Sequence, residues 1–186
     1  NQLAQAAISE FGRIDVMLNN AGIMPLAFYS DHHQAADAWD KCIDVNFRGV
    51  LNGITAVYDQ MIEQGAGHVI NMSSIYGNTP VAGAAVYGAT KAAVNFLSES
   101  LRVESQGKIK VTSIRPTGVP GTALGGGIVN PEALSGILGA NYQDYMQQFV
   151  SMLSGELPEK FTDSENIEYF ALDPEFVADQ ILYAIN

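Results

Sequence analysis

Apolar residues in this chain fall into two patterns, short continuous runs and longer stretches with a helical repeat. The runs cover Ile14 to Leu18, His68 to Ser73 and Lys110 to Ile114. Each is short enough for a strand buried on both faces, as parallel sheets require. Between the first two runs, a stretch from about Asp37 to Gln64 places Val50, Leu51, Ile54, Val57, Tyr58 and Met61 at helical spacing, and Gly65 and Gly67 end it. A second long helix is predicted from about Ala84 to Ser105, closed by Gly107. Gln2 to Phe11 reads as the end of a helix with Leu3, Ala7 and Ile8 on one side and Gly12 as its stop. Near the other end, Asp173-Pro174-Glu175 has the form of an N-cap followed by proline at the first helical position. Phe176, Val177, Ile181, Leu182 and Ile185 then mark a last helix. Strands alternating with helices at this rhythm predict an α/β fold, a doubly wound parallel sheet with right-handed crossovers and helices on both faces.

Ligands of such sheets bind beyond the carboxyl ends of the strands. Asn20, Ser74 and Pro116 stand at those ends, so the three runs direct polar residues toward one place. Downstream of Ser74, Tyr87 and Lys91 are four residues apart and share one helix face. An ammonium beside a phenol favours the phenolate, which makes Tyr87 a candidate general acid and base. The loop from Ile23 to about Ala35 holds Pro25 and the pair His32-His33, read as solvent-exposed rather than as metal ligands. From Thr117 to about Leu172 the pattern loosens. Gly125-Gly126-Gly127 and the aromatic run from Tyr142 to Phe149 predict a mobile, substrate-side lid with a short helix or two. Residues 1–186 read as one domain without internal repeat.

Composition narrows the function classes. The chain has 186 residues, 47% hydrophobic and 16% charged, which suits a globular domain with a sizeable core. A net charge of −11 argues against nucleic acid and against an anionic membrane surface as partners. Cys42 is the single cysteine, so an intrachain disulfide and a cysteine metal cluster are both excluded. No run of eighteen apolar residues occurs, and a reducing, cytoplasmic setting is expected. Ser74 lacks the Gly-x-Ser-x-Gly elbow of a serine hydrolase and a suitably placed histidine.

Four motifs in order carry a family likeness: Asn19-Asn20-Ala21-Gly22, Asn46 within Asp44-Val45-Asn46, Ser74 thirteen positions before Tyr87, and Tyr87-x-x-x-Lys91. Together the stretch from Ile14 to about Pro116 resembles the short-chain dehydrogenase/reductase family in its compact form, with a Rossmann-like fold. The resemblance implies an oxidoreductase that interconverts a ketone or aldehyde and an alcohol by hydride transfer with NAD or NADP. It assigns Tyr87 as the proton donor and acceptor, and Ser74 as the partner of the reacting oxygen. Lys91 would hold the nicotinamide ribose and lower the Tyr87 pKa, and Asn46 would sit in a helix irregularity and hold a relay water. Asn20, Ala21 and Gly22 would lie against the adenosine side of the cofactor, where small residues permit close approach. Pro116, Gly118 and Val119 resemble the segment that meets the nicotinamide. There the sequence departs from the commoner pattern, with Pro116-Thr117-Gly118 in place of Pro-Gly and the usual threonine one place late at Thr122.

Tyr76, Val81, Thr117, Leu124, Met146 and Phe149 lie in loops expected to border the catalytic face, and an apolar, Met-containing lid suits a hydrophobic substrate. The family commonly pairs its two long helices, so the resemblance also implies a homo-oligomer, a tetramer or dimer. It further implies a preceding glycine-rich turn and roughly 70 residues carrying three strands, by analogy with doubly wound folds, and a final strand after the last helix. The chain is therefore expected to be part of a longer protein. Two rivals are a catalytically silent nucleotide-binding or scaffolding protein on the same fold, and a longer epimerase or dehydratase branch. The intact Asn46, Ser74, Tyr87 and Lys91 set argues against the first. The short tail argues against the second.

Overall fold

The computed structural model describes residues 2–119, 122–139, 142, 143, 146, 147, 150 and 172–186. In chain order its regular elements are α1 (Gln2–Phe11), β1 (Val16–Asn19), α2 (His32–Cys42), α3 (Gly49–Gln64), β2 (His68–Met72), α4 (Ala85–Glu104), β3 (Lys110–Ile114), α5 (Ala133–Leu138) and α6 (Pro174–Ile185). The strands form one parallel sheet in the order β1-β2-β3. Asn19 pairs in register with Asn71, and Asn71 with Ser113. The predicted strands and the Rossmann-like architecture are thus present, and β3 has the predicted bounds.

Helix ends follow the expected chemistry. Gly12 closes α1 at φ 74° and Gly65 closes α3 at φ 67°, a left-handed conformation that glycine adopts without a steric penalty. Asp173 caps α6 by accepting the Glu175 N–H at 2.8 Å, ahead of Pro174 at the first helical position.

Two expectations change. His32 and His33 are exposed, as anticipated, but they open α2 instead of lying in a loop. The start signal was concealed because Asp31, the residue before the helix, gives α2 no side-chain cap. Its carboxylate instead accepts from the Phe28 N–H at 2.8 Å and from Asn130 Nδ2 at 2.9 Å. The long helix predicted to Gln64 is also interrupted, at the place where the family resemblance put an irregularity at Asn46, because Ile43–Arg48 takes up a π-helical turn between α2 and α3. Such a turn inserts one residue into the helical repeat, which apolar periodicity does not resolve.

The core lies where helices meet the sheet. Ala4 of α1, Val50, Ile54, Val57 and Met61 of α3, and Val94 and Leu101 of α4 pack with Val69 and Val111 of the strands. Ile70, on the opposite side of β2 by strand alternation, is also fully buried, so both faces of the central strand are covered. A polar line crosses this apolar layer. Asn19 Nδ2 donates to Asn71 Oδ1 at 2.8 Å, Asn71 Nδ2 to Ser98 Oγ at 2.9 Å, and Ser98 Oγ to the Val94 carbonyl at 2.8 Å. Each of these polar atoms has a partner, which offsets the cost of burying it, and the line ties β1, β2 and α4 together. A second apolar cluster gathers Leu26, Ala84 and Ala133 with Met24, Phe28, Val81 and Ile128 around them. It is stitched by Ala27 N–H to the Gly83 carbonyl and by Val129 and Asn130 N–H to the Leu26 carbonyl. Among the described residues no helix is long and apolar enough to cross a membrane.

Gly53 sets how closely α3 approaches β1. A Cβ there would lie 1.9 Å from Asn19 Oδ1 and 2.9 Å from the Met17 methyl. Gly53→Ala is expected to displace Asn19 from its buried bond and to destabilise the fold by about 1–3 kcal/mol, the usual cost of overpacking. Gly125, where a Cβ would meet nothing within 4 Å, should accept alanine within about 0.5 kcal/mol. Urea denaturation midpoints of the two variants check the contrast.

Candidate active site

The π-helical turn after α2 puts Asn46 fully inside the protein. Its amide grips one residue of the loop after β1 from both sides. Oδ1 accepts the Ile23 N–H at 2.9 Å, and Nδ2 donates to the Ile23 carbonyl at 2.9 Å. Nδ2 also reaches Thr90 Oγ1 at 3.1 Å and Cys42 Sγ at 3.3 Å. Thr90 in turn donates to the Tyr87 carbonyl at 2.7 Å, so Asn46 links the β1 loop to α4 one residue before Lys91. The buried Cys42 thiol has its pKa raised by burial, against the influence of Thr90 and Lys91.

Lys91 is 4% exposed, and its Nζ donates to the Met72 carbonyl at 2.8 Å at the end of β2. Ser73 Oγ donates to the Lys91 carbonyl at 3.1 Å, a second tie between the same strand end and helix. Gly22 completes the corner. A Cβ on it would lie 3.4 Å from Lys91 Nζ and 3.5 Å from Asn46 Oδ1. Three motifs separated along the chain therefore converge on one small volume. Burial lowers the Lys91 pKa to about 8, opposed by charge on Cys42.

Ser74 follows β2 and caps a 3-10 turn over Ile75–Gly77, its Oγ accepting the Tyr76 N–H at 3.2 Å. This turn lies hard against α4 because two glycines let it. A Cβ on Gly88 would come within 2.8 Å of the Tyr76 carbonyl, and one on Gly77 within 2.7 Å of the Lys91 carbonyl carbon. The close approach sets Tyr76 edge-on to Tyr87, with ring centroids 6.4 Å apart. Lys91 Nζ lies 5.7 Å from the Tyr87 ring centroid.

The expected depression of the Tyr87 pKa by Lys91 is not found in this structure. Burial raises the phenol above its ordinary value, with the Ser74 hydroxyl pulling the other way and charge on Cys42 adding to the rise. The same dry environment that penalises a phenolate also penalises the ammonium. Tyr87 is therefore held protonated.

Ser74 and Tyr87 open onto a cavity of about 390 Å³. Tyr76, Thr117, Gly118, Val119, Leu124 and Met146 line it as well. Asn20 and Ala21 are exposed at the end of β1, and the Pro116 carbonyl accepts the Ile75 N–H at 3.2 Å, fixing the β3 end beside the Ser74 turn. Val81 packs in the second apolar cluster and does not line the cavity. Phe149 lies outside the described residues. Sequence reasoning missed Met24, Ile128, Leu134, Ile137 and Leu138, which supply apolar wall. The only trace of them in the sequence is the apolar spacing of Leu134, Ile137 and Leu138, which marks a helix and not what it faces. Among the described residues, no group of three His, Cys, Asp or Glu side chains could hold a metal ion.

Comparisons with known proteins place the chain in a family. The family model for short chain dehydrogenases covers residues 1–132. An uncharacterised oxidoreductase of Staphylococcus saprophyticus is 38% identical over 187 aligned positions, spanning all of this chain and 65% of that protein. The chain spans between about half and two thirds of the length of the curated relatives it matches. A short-chain dehydrogenase from Streptomyces avermitilis superimposes with a TM-score of 0.69 at 25% identity, covering 100% of this chain and 61% of that one. A metagenomic short-chain oxidoreductase in complex with NADP is 33% identical, with a TM-score of 0.56 and coverage of 62% and 52%. With that match to most of its length, this chain belongs to the short-chain dehydrogenase family of oxidoreductases.

Proposed function

We propose that this protein interconverts a ketone or aldehyde and an alcohol with NAD or NADP, using Tyr87 as general acid and base. The observation that carries the reading is the common corner of Gly22, Asn46 and Lys91 directly behind a cavity wall made by Ser74 and Tyr87. In reduction, the protonated Tyr87 phenol gives its proton to the substrate carbonyl oxygen, and in oxidation the phenolate takes it back. The Ser74 hydroxyl donates to the same oxygen as negative charge grows there.

The corner fits a nicotinamide nucleotide. An ammonium has three N–H donors, and among the described residues Lys91 spends one, on Met72. The other two suit the ribose hydroxyls. Gly22 leaves room beside them that a side chain would fill, and Asn20 and Ala21 continue along the adenosine side. Backbone at Pro116, Gly118 and Val119 would meet the carboxamide. When bound, the nicotinamide supplies or accepts the hydride. The metagenomic relative in complex with NADP supports this choice of cofactor class.

Self-association is also proposed. α3 and α4 leave a groove along Leu51, Ile54, Tyr58, Leu97 and Leu101, rimmed by Thr55, Asp59, Ser100 and Glu104, and Phe96 of α4 is 75% exposed. Pairing of these helices with a second copy would cover it.

Three outcomes follow. Tyr87→Phe should lower turnover at least ~10²-fold, the span of a general acid/base, while nucleotide affinity by calorimetry stays within about threefold. Lys91→Met should lose nucleotide binding and turnover yet raise the melting temperature of the nucleotide-free protein by a few degrees. The reason is that a buried ammonium with its pKa lowered to about 8 costs roughly 3 kcal/mol at neutral pH. Losing the charge-assisted bond to Met72 offsets about 2 kcal/mol of that. The pH dependence has a definite sign. Below about 8 Lys91 carries its charge, and above it the cation is lost. kcat/KM for the nucleotide should therefore fall as pH rises through about 8. Stability of the free protein should rise between about 8 and the ordinary lysine range, where only the unfolded chain still holds that proton. Stability profiles of wild type and Lys91→Met, overlaid, isolate the step.

A further inference from the structure

The cavity in front of Ser74 and Tyr87 has a chemical character that goes beyond the reaction class. Its described polar lining is neutral throughout: Ser74, Tyr76, Tyr87, Thr117 and Thr122. The remainder is glycine or apolar, with Met24 from the loop after β1 and Leu134, Ile137 and Leu138 from α5 as its largest wall residues. No Arg, Lys or His is among the described lining residues. The nearest ammonium, Lys91, is buried in the corner behind Tyr87 and bonded to the Met72 carbonyl. Arg115, at the end of β3, is exposed and donates to Asn78 Oδ1 at 3.4 Å.

The chain's composition has the same bias, with a net charge of −11. From Thr117 to Leu172, the segment that supplies Thr122, Leu124, α5 and Met146, there are seven acidic residues (Glu132, Asp144, Glu156, Glu159, Asp163, Glu165 and Glu168) and one basic residue, Lys160. An anion approaching a chain of net charge −11 meets a field of its own sign. One that entered would leave water without a cationic partner in the described wall.

We infer that the site takes carbonyl compounds and alcohols whose reacting carbon bears uncharged, apolar substituents, and that it rejects substrates carrying a carboxylate or phosphate. This rests on the oxidoreductase reading and deepens it. Keto acids, hydroxy acids and phosphorylated sugars are excluded as a class. Thr122 is the residue best placed to change the selection. It is exposed and lines the cavity, and its hydroxyl makes a bond only to the Val119 carbonyl, at 3.1 Å, among the described residues.

The test uses two ketones of one shape, acetophenone and 4-acetylbenzoate, which differ by a carboxylate. With NADH and NADPH each supplied in turn, kcat/KM for acetophenone should exceed that for 4-acetylbenzoate at least 100-fold. Thr122→Arg, a cation at the exposed rim, should narrow the gap at least tenfold. Equal or better use of the carboxylate by wild type would overturn the inference and leave the oxidoreductase reading standing. If neither ketone is turned over, ligand-observed NMR of binding decides. Binding of acetophenone and not of 4-acetylbenzoate supports the inference while the reaction assignment fails. Binding of both alike, or of neither, overturns it.

Discussion

An ammonium with almost no access to water is the constraint around which this structure is arranged. Lys91 can remain buried because the end of β2 offers it the Met72 carbonyl and because α4 is clamped to that strand end through Ser73. Everything near it is small or rigid. Gly22 leaves the space in front of Nζ open. Asn46 holds the loop carrying Gly22 by both backbone polar groups of the next residue, Ile23, and reaches Thr90, the neighbour of Lys91 on α4. The π-helical turn exists in this context as the device that turns Asn46 inward. A regular helix from His32 to Gln64 would carry one residue fewer in that turn and shift every later side chain around the axis.

The same dryness determines how the phenol behaves. A lysine near a tyrosine is often read as an acidifying neighbour, and on an exposed helix face that reading would hold. Here both groups share one desolvated pocket, and burial acts against the charged form of each. The result is a proton held on Tyr87 next to Ser74, at the mouth of a mostly apolar cavity. A site that stores its proton in this way favours a neutral guest, and the neutral, apolar lining follows the same physics.

Packing of glycines is what makes the corner possible. Gly53 lets α3 close on Asn19, and Gly77 and Gly88 let the turn after Ser74 close on α4. The buried line from Asn19 through Asn71 to Ser98 then spans sheet and helix beneath the site. None of these contacts is catalytic, yet each fixes the relative height of a strand end and a helix on which a functional residue sits.

The strands and most helix ends were legible in the chain because their causes are local. An apolar run, a glycine at positive φ, or Asp173 before Pro174 acts within a few residues. The i and i+4 spacing of Tyr87 and Lys91 depends only on the helical repeat. What tertiary structure alone decided involves partners far apart in sequence. Asp31 precedes α2 without capping it, its carboxylate bonded to the Phe28 N–H and to Asn130 instead. Val81 turned into the second apolar cluster rather than the cavity, and Met24 and α5 supplied wall that no motif marks. The sequence by itself determined which groups are candidates for the chemistry. Their protonation and the cavity they face depend on how much water the assembled fold excludes, and exclusion is a property of packed surfaces, not of any one segment.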